Sequence, residues 1–103
     1  MTLKIYQLPI DHPFKFKGRV KFFAPIKDYT EVYNSTIEDV FKNTSWESHI
    51  NDGVDHILEY VYTLFNIGNV KGFNGSSLSV SDIVEIDGVK YFVDSIGFKK
   101  YVG

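Results

Sequence analysis

Phe73–Phe98 reads FNGSSLSVSDIVEIDGVKYFVDSIGF, and this stretch decides the fold of the chain. At its centre, Asp87-Gly88 is the dipeptide that a two-residue type I′ hairpin turn favours, and apolar, β-branched runs flank it. Folding about this turn gives one apolar face and one face with a charge pair beside an apolar pair, and a slip of one residue would destroy the match. The expected cross-strand pairs are Ile86 with Val89, Glu85 with Lys90, Val84 with Tyr91 and Ile83 with Phe92.

The main helix is predicted from about Asp52 or Gly53 to Phe65, with Asp52 as its N-cap. Apolar residues recur in this segment at intervals of three and four, which places them on one stripe of a helix. The stripe consists of Val54, Ile57, Leu58, Val61, Leu64 and Phe65.

Short strands are predicted before this helix. Leu3–Leu8 alternates, with Leu3, Ile5 and Gln7 on one side, and Tyr29–Tyr33 forms another short strand. Strands, one main helix and a C-terminal hairpin predict an α+β fold, in which the helix packs on an antiparallel sheet within a single domain over residues 1–103.

The segment between Tyr33 and the main helix is less regular. Ser35–Glu38 has the capping-box pattern that opens one or two helical turns through Phe41. Trp46 is expected to anchor this region to the core, within a polar connecting loop over residues 42–53.

Residues 14–22 alternate apolar and basic side chains, which predicts a strand with one core face and one basic face. Basic residues two apart on a strand lie about 6.6 Å from each other, close to the spacing of phosphates, so this face is a candidate nucleic-acid interface, with Phe23 or Tyr6 available to stack on a base. The simpler interpretation is an edge strand that lysines protect from pairing with other chains. The basic residues are Lys15, Lys17, Arg19 and Lys21.

Charge is segregated along the chain, although the formal net charge is -2. Residues 1–27 hold six Lys and Arg residues against Asp11 alone, and residues 28–66 hold eight carboxylates against Lys42 alone. The acidic part includes the polar face of the main helix, which is a candidate surface for the arginine-rich groove of a nucleic-acid enzyme; a solvated helix face is the simpler interpretation. The residues expected to contact such a partner are Glu38, Asp39, Glu47, Asp52, Asp55, Glu59 and Tyr62.

The totals exclude several classes of protein. With 103 residues and no cysteine, the chain has no disulfide framework, thiol chemistry or thiolate metal site. It shows no signal-peptide pattern, and no apolar run approaches the roughly 20 residues that span a bilayer. We therefore expect a soluble, cytoplasmic protein without a membrane partner.

Catalysis is not expected from the polar motifs. Ser77, Ser79 and Ser81 alternate, but the sequence has no Gly-x-Ser-x-Gly elbow, and no histidine is placed to activate a serine. His12, His49 and His56 lack the spacing of metal ligands. Asp94 could form a carboxylate couple with Asp82 or Glu85, or simply lie on an exposed sheet face. We predict no enzyme, no cofactor and no metal.

Three motifs resemble the YodL-like domain family. GSSLSVSDIV at residues 75–84, followed by YFVD and a closing GF, is similar to the family's C-terminal signature. DYTEVYNS at 28–35 and ILEYVYTLFNI at 57–67 resemble its Tyr-x-x-Val-Tyr strand and its helix end, so the resemblance covers about Asp28 to Phe98. The chain departs from the family pattern at residues 69–71 and around Trp46, and it matches only loosely before Asp28.

The resemblance implies a biological setting rather than a reaction. Domains of this family occur on plasmids, conjugative elements and phage-like islands of Gram-positive bacteria, often beside antirestriction modules, and no catalytic residues are attached to them. The first hypothesis is therefore a non-enzymatic anti-CRISPR or antirestriction protein that binds a host defence nuclease, Cas9-type or a restriction enzyme, through the acidic residues. The alternative is a small nucleic-acid-binding module that uses residues 14–22.

Overall fold

The computed structural model describes residues 1–18, 23–67 and 70–102, and its strands form one antiparallel sheet. The strands lie across the sheet in the order β2-β1-β3-β4-β5, and the main helix α2 packs on one face, so the predicted α+β fold is confirmed. The strands are β1 (Thr2–Gln7), β2 (Thr30–Thr36), β3 (Ile83–Ile86), β4 (Val89–Val93) and β5 (Phe98–Lys100), and the helices are α1 (Ile37–Phe41) and α2 (Val54–Ile67).

The β3–β4 hairpin has the predicted register in all four pairs. Asp87 and Gly88 both have positive φ, 50° and 83°, as a type I′ turn requires. The Asp87 carboxylate also accepts a hydrogen bond from the Thr2 amide at 2.8 Å, which fixes the turn against β1. The hairpin is therefore the centre of the sheet, with β1 on one side and β5 on the other.

Helix α2 buries most of its predicted apolar stripe. Ile57, Leu58, Val61 and Phe65 are buried against β1 and β3, whereas Val54 is 37% exposed because it lies in the first turn of the helix. The helix continues to Ile67, two residues beyond the predicted end. None of the helices in the described ranges is long and apolar enough to cross a membrane.

The start of α1 differs from the prediction by one residue. Thr36, rather than Ser35, is the N-cap, and its side chain accepts a hydrogen bond from the Asp39 amide at 3.1 Å. Ser35 lies one residue before the end of β2, where it is paired with Leu3, and Thr36 is the last residue of that strand. Trp46 packs against the core, as expected.

The prediction of a strand beginning at residue 14 is wrong for the part that the structure describes. Residues 13–16 form successive turns, and Phe16 has a positive φ of 67°. Burial is also reversed, since Lys15 is buried while Phe14 and Phe16 are 36% and 53% exposed. Arg19 and Lys21, with Val20 and Phe22, lie outside the described residues.

The sheet face opposite α2 carries a charged row across the strands. Lys4 pairs with Glu31 at 3.8 Å, and Glu85 lies between Lys90, at 3.0 Å, and the Tyr6 hydroxyl, which donates to it at 3.0 Å. Burial alone would raise the pKa of Glu85, but the hydrogen bonds from Lys90 and Tyr6 outweigh it and lower the pKa. Burial, with the bond to Glu85, raises the pKa of Tyr6 to about 12.

These two pKa shifts predict that the fold loses stability in acid, through Glu85, and again in strong base, through Tyr6. Glu85 stabilises the fold above its ordinary pKa, and this contribution is lost as the pH falls through the lowered value; Tyr6 contributes below pH 10 and loses its contribution as the pH rises through about 12. Glu85→Gln should lower the free energy of unfolding by about 1–2 kcal/mol near neutral pH, and the deficit should vanish in acid, where wild-type Glu85 is also neutral. Urea unfolding across an acid pH series measures it; a deficit that stays constant with pH would contradict the assignment.

Candidate interaction surface

The polar face of α2 presents exposed carboxylates. Asp55 and Glu59 lie four residues apart on this face, and both are exposed. They make no side-chain hydrogen bond or ion pair to any described residue, so their charges are uncompensated there. Glu47, in the 3₁₀ turn Glu47–His49 before the helix, is likewise exposed and unpaired among the described residues.

Asp52 belongs to the same end of the helix, but its carboxylate is already engaged. His49 Nδ1 and the Tyr60 hydroxyl both lie 2.9 Å from the Asp52 Oδ2 atom. The hydrogen bond from Tyr60, and then that from His49, lower the pKa of Asp52, and the same bond raises the pKa of Tyr60. Asp52 is thus a brace between the 3₁₀ turn and α2 rather than the helix cap that was predicted.

An aromatic stack flanks the carboxylates. Trp46 stacks on Tyr60 with ring centroids 5.9 Å apart and an interplanar angle of 23°, and His56 stacks on Tyr60 at 6.4 Å and 26°. The ring centroid of Phe41 lies 6.2 Å from those of both Trp46 and Tyr60, and these contacts connect the stack to the core. The stack therefore joins the loop before α2 to the helix and to the core, and no sequence pattern identified Tyr60 as its centre.

The other predicted contact residues do not join this surface in the same way. Glu38 accepts a hydrogen bond from the Met1 amino group at 2.7 Å, which lowers the pKa of Glu38, and the neighbouring Asp39 is exposed on α1. No side-chain hydrogen bond or ion pair between described residues links either of them to α2. Tyr62 is half-buried and packs edge-on against Phe98 at 6.4 Å, so most of its ring serves the core.

A buried polar cluster, called the latch below, joins Asp82 of the SLSVSD motif (residues 77–82) to Lys15 and Gln7. Asp82 is fully buried and lies 3.1 Å from Lys15 Nζ, while its second oxygen accepts from Gln7 Nε2 at 3.0 Å and from the Ser79 amide at 2.9 Å. Burial raises the pKa of Asp82, although the Ser79 amide, Lys15 and Gln7 act in the opposite direction. Sequence reasoning missed both Lys15 and Gln7 as partners of this carboxylate.

Ser81 extends the latch to the N-terminal loop. Its hydroxyl accepts from the Phe16 amide at 2.9 Å, and its carbonyl accepts from the Tyr29 hydroxyl at 2.8 Å. The Ser79 hydroxyl is buried without a partner among the described residues, and Ser77 is exposed. Of these three serine hydroxyls, only that of Ser81 bonds a main-chain group of the described residues, and this bond holds Phe16 against the segment before β3.

The remaining polar candidates have ordinary partners. Asp94 lies 3.4 Å from Lys99, and Asp82 and Glu85 each pair with a lysine, so the three carboxylates do not form the couple that was considered. His12 pairs with Asp28 at 2.9 Å. Within residues 1–18, 23–67 and 70–102, no group of three or more His, Cys, Asp or Glu side chains is arranged to hold a metal ion.

Comparison with known proteins gives one family match. The family described as "YodL-like domain" matches residues 2–102 of the chain. The match includes the N-terminal segment, which the sequence motifs alone left out. No curated protein and no solved structure matches the chain.

Proposed function

Because the chain belongs to the YodL-like domain family, we propose that it is a non-enzymatic inhibitor, encoded by a mobile element or phage, that binds a host defence nuclease in the bacterial cytoplasm. The observation that supports the proposal is the uncompensated charge of Asp55, Glu59 and Glu47 around the start of α2. The target is a Cas9-type nuclease or a restriction enzyme, whose nucleic-acid groove presents arginines to phosphates and bases.

The surface is suited to a groove of that kind. Carboxylates compete with phosphates for the same guanidinium donors, because both offer two oxygens in the geometry of the arginine fork. The Trp46–Tyr60–His56 stack lies beside Asp52, and aromatic side chains are enriched in protein interfaces. Such a surface would associate rapidly and with a marked dependence on salt.

Charge reversal on α2 tests the proposal. Asp55→Lys combined with Glu59→Lys should raise the concentration that inhibits DNA cleavage by about 10-fold to 100-fold, because each change replaces attraction to arginine by repulsion. The measurement is cleavage of a labelled DNA by a panel of Cas9-type and restriction nucleases, titrated with the purified protein. Circular dichroism confirms that the variant is folded.

A matched control separates position from net charge. Glu59→Lys and Asp11→Lys change the net charge equally, and both residues are exposed, but Asp11 lies in the loop after β1. Only Glu59→Lys should weaken inhibition. If both variants inhibit like the wild type, the surface is wrongly placed; if no nuclease in the panel responds to the wild type, the proposed function itself fails.

The nucleic-acid alternative receives less support. Lys15 is buried against Asp82, and among the described residues of the basic set only Lys17 is exposed. The spacing of a strand, on which that hypothesis depended, is absent from residues 13–16. We therefore prefer the inhibitor.

A further inference from the structure

Three Asx-Gly dipeptides occur in the chain: Asp52-Gly53, Asn74-Gly75 and Asp87-Gly88. In such pairs the glycine amide can attack the preceding side chain, because glycine has no side chain to obstruct the approach. Asparagine is more reactive than aspartate in this reaction, since its neutral amide carbonyl is a better electrophile than a carboxylate and ammonia leaves. Asparagine is accordingly one of the thermolabile residues of proteins.

The structure distinguishes these three sites by what holds the side chain. Asp87 Oδ1 accepts from the Thr2 amide at 2.8 Å, and Asp52 Oδ2 is held by His49 and Tyr60 at 2.9 Å. Asn74 is exposed, and its side-chain amide makes no hydrogen bond to a described residue. The Gly75 amide likewise donates to no described acceptor, so the nucleophile is also unprotected.

We propose that Asn74 is a site of spontaneous deamidation through a succinimide with Gly75. The Gly75 nitrogen, after base has removed its proton, bonds to Asn74 Cγ, the Cγ–Nδ2 bond breaks, and ammonia leaves with a proton from solvent. Water then opens the ring at either carbonyl and gives aspartate or isoaspartate. One water is consumed and one ammonia released, with no change of oxidation state.

The position of Asn74 gives this reaction a structural consequence. The loop is fixed on both sides, because Phe73 packs on Phe65 at 5.1 Å and the Ser76 amide and carbonyl bind the Gln7 side chain at 3.1 and 2.8 Å. A Cβ atom on Gly75 would clash with Gln7 Oε1, so the Gln7 side chain fills the space beside the glycine. Isoaspartate lengthens the main chain by one carbon, which must displace Ser76 from Gln7, and Gln7 in turn donates a hydrogen bond to Asp82.

Ageing of the purified protein tests the site. In warm, mildly alkaline buffer, intact mass spectrometry should show a species heavier by one dalton, and peptide mapping should place it at residues 73–76 as two separable isomers. The rate in the folded protein should be within about tenfold of that in the denaturant-unfolded chain, because neither the Asn74 side-chain amide nor the Gly75 amide forms a hydrogen bond to a described residue. Asn74→Gln should abolish the change, and Asp52 and Asp87 should not isomerise over the same period. A folded-state rate far below the unfolded one, or conversion at another asparagine instead, overturns the proposal.

A second comparison tests the structural consequence. Asn74→Asp adds the charge without lengthening the chain, so it should unfold at the same denaturant concentration as the wild type. The isolated isoaspartate form should unfold at a lower concentration. Equal midpoints for the isoaspartate form and Asn74→Asp would contradict the displacement of the Gln7 contact.

Discussion

Lys15→Met is expected to lower the free energy of unfolding by about 3–5 kcal/mol. Lys15 is buried, and its ammonium group lies 3.1 Å from a carboxylate that has no exposed surface. Removal of the cation leaves Asp82 charged and buried without a counter-ion, or forces it to take a proton, and either outcome costs free energy. The measurement is equilibrium unfolding in urea, followed by the fluorescence of Trp46, the single tryptophan of the chain.

The second partner shows whether the cost belongs to the pair. Asp82→Asn keeps an amide oxygen for the Ser79 amide but removes the charge, so Lys15→Met with Asp82→Asn should be clearly more stable than Lys15→Met alone. Lys17→Met is the matched control, because Lys17 is exposed two residues away, and it should cost less than about 0.5 kcal/mol. If Lys15→Met and Lys17→Met are equally mild, the buried pair is not the latch that the structure shows.

The pH dependence of Lys15→Met follows from the state of Asp82. Burial already raises the pKa of Asp82 in the wild type, and loss of the ammonium group must raise it further. A folded-state pKa above the unfolded one means that stability is greatest below the unfolded value and is lost as the pH rises through the folded value. The deficit of Lys15→Met should therefore be smaller in acid than at neutral pH.

Local rules were sufficient to predict the hairpin and the main helix. The β3–β4 register depends on the Asp87-Gly88 turn and on pairs within ten residues of each other, so its information is contained in one short stretch. The buried stripe of α2 depends in the same way on its own periodicity. Both were predicted because sequence neighbours determine them.

The latch could not be predicted in that way. Lys15 and Asp82 are 67 residues apart, and nothing local shows which of the 11 Lys and Arg residues a buried carboxylate will select. The alternation around Lys15 imitates a strand, but the desolvated charge of Asp82 requires a cation inside the protein, and this requirement places Lys15 inside and Phe16 outside. The available signal in the sequence was a carboxylate, Asp82, directly before the apolar residues Ile83 and Val84 of a predicted strand.

The candidate interaction surface was predicted only in part, because local periodicity determines some of its residues and not others. Asp55 and Glu59 follow from helical periodicity and are exposed as expected. The Asp52 brace and the Trp46–Tyr60 stack depend on how the loop before α2 folds back on the helix, and no periodic pattern encodes that path.

Phe65→Ala is expected to lower the free energy of unfolding by about 3–5 kcal/mol. Phe65 is 1% exposed, and its ring makes edge-to-face contacts with Tyr33 of β2 at 5.0 Å and with Phe73 at 5.1 Å. Its carbonyl also accepts from the Leu78 amide at 3.2 Å, so the end of α2, the edge strand and the loop before the SLSVSD motif all meet at this residue. Truncation opens a cavity that these three segments cannot fill together, because each is fixed by other contacts.

Ile67→Ala provides the control for Phe65→Ala, since Ile67 lies on the same last turn of α2 and is 80% exposed. It should cost less than about 0.5 kcal/mol. Phe65→Leu, which retains much of the volume but loses both aromatic contacts, should fall between the two and keeps the experiment informative if Phe65→Ala does not fold. Urea unfolding compares the three variants. If the helix end, the edge strand and the loop share the Phe65 contacts, the removal of those contacts must weaken all three. A cost for Phe65→Ala as small as that for Ile67→Ala would therefore mean that the three segments are stabilised independently.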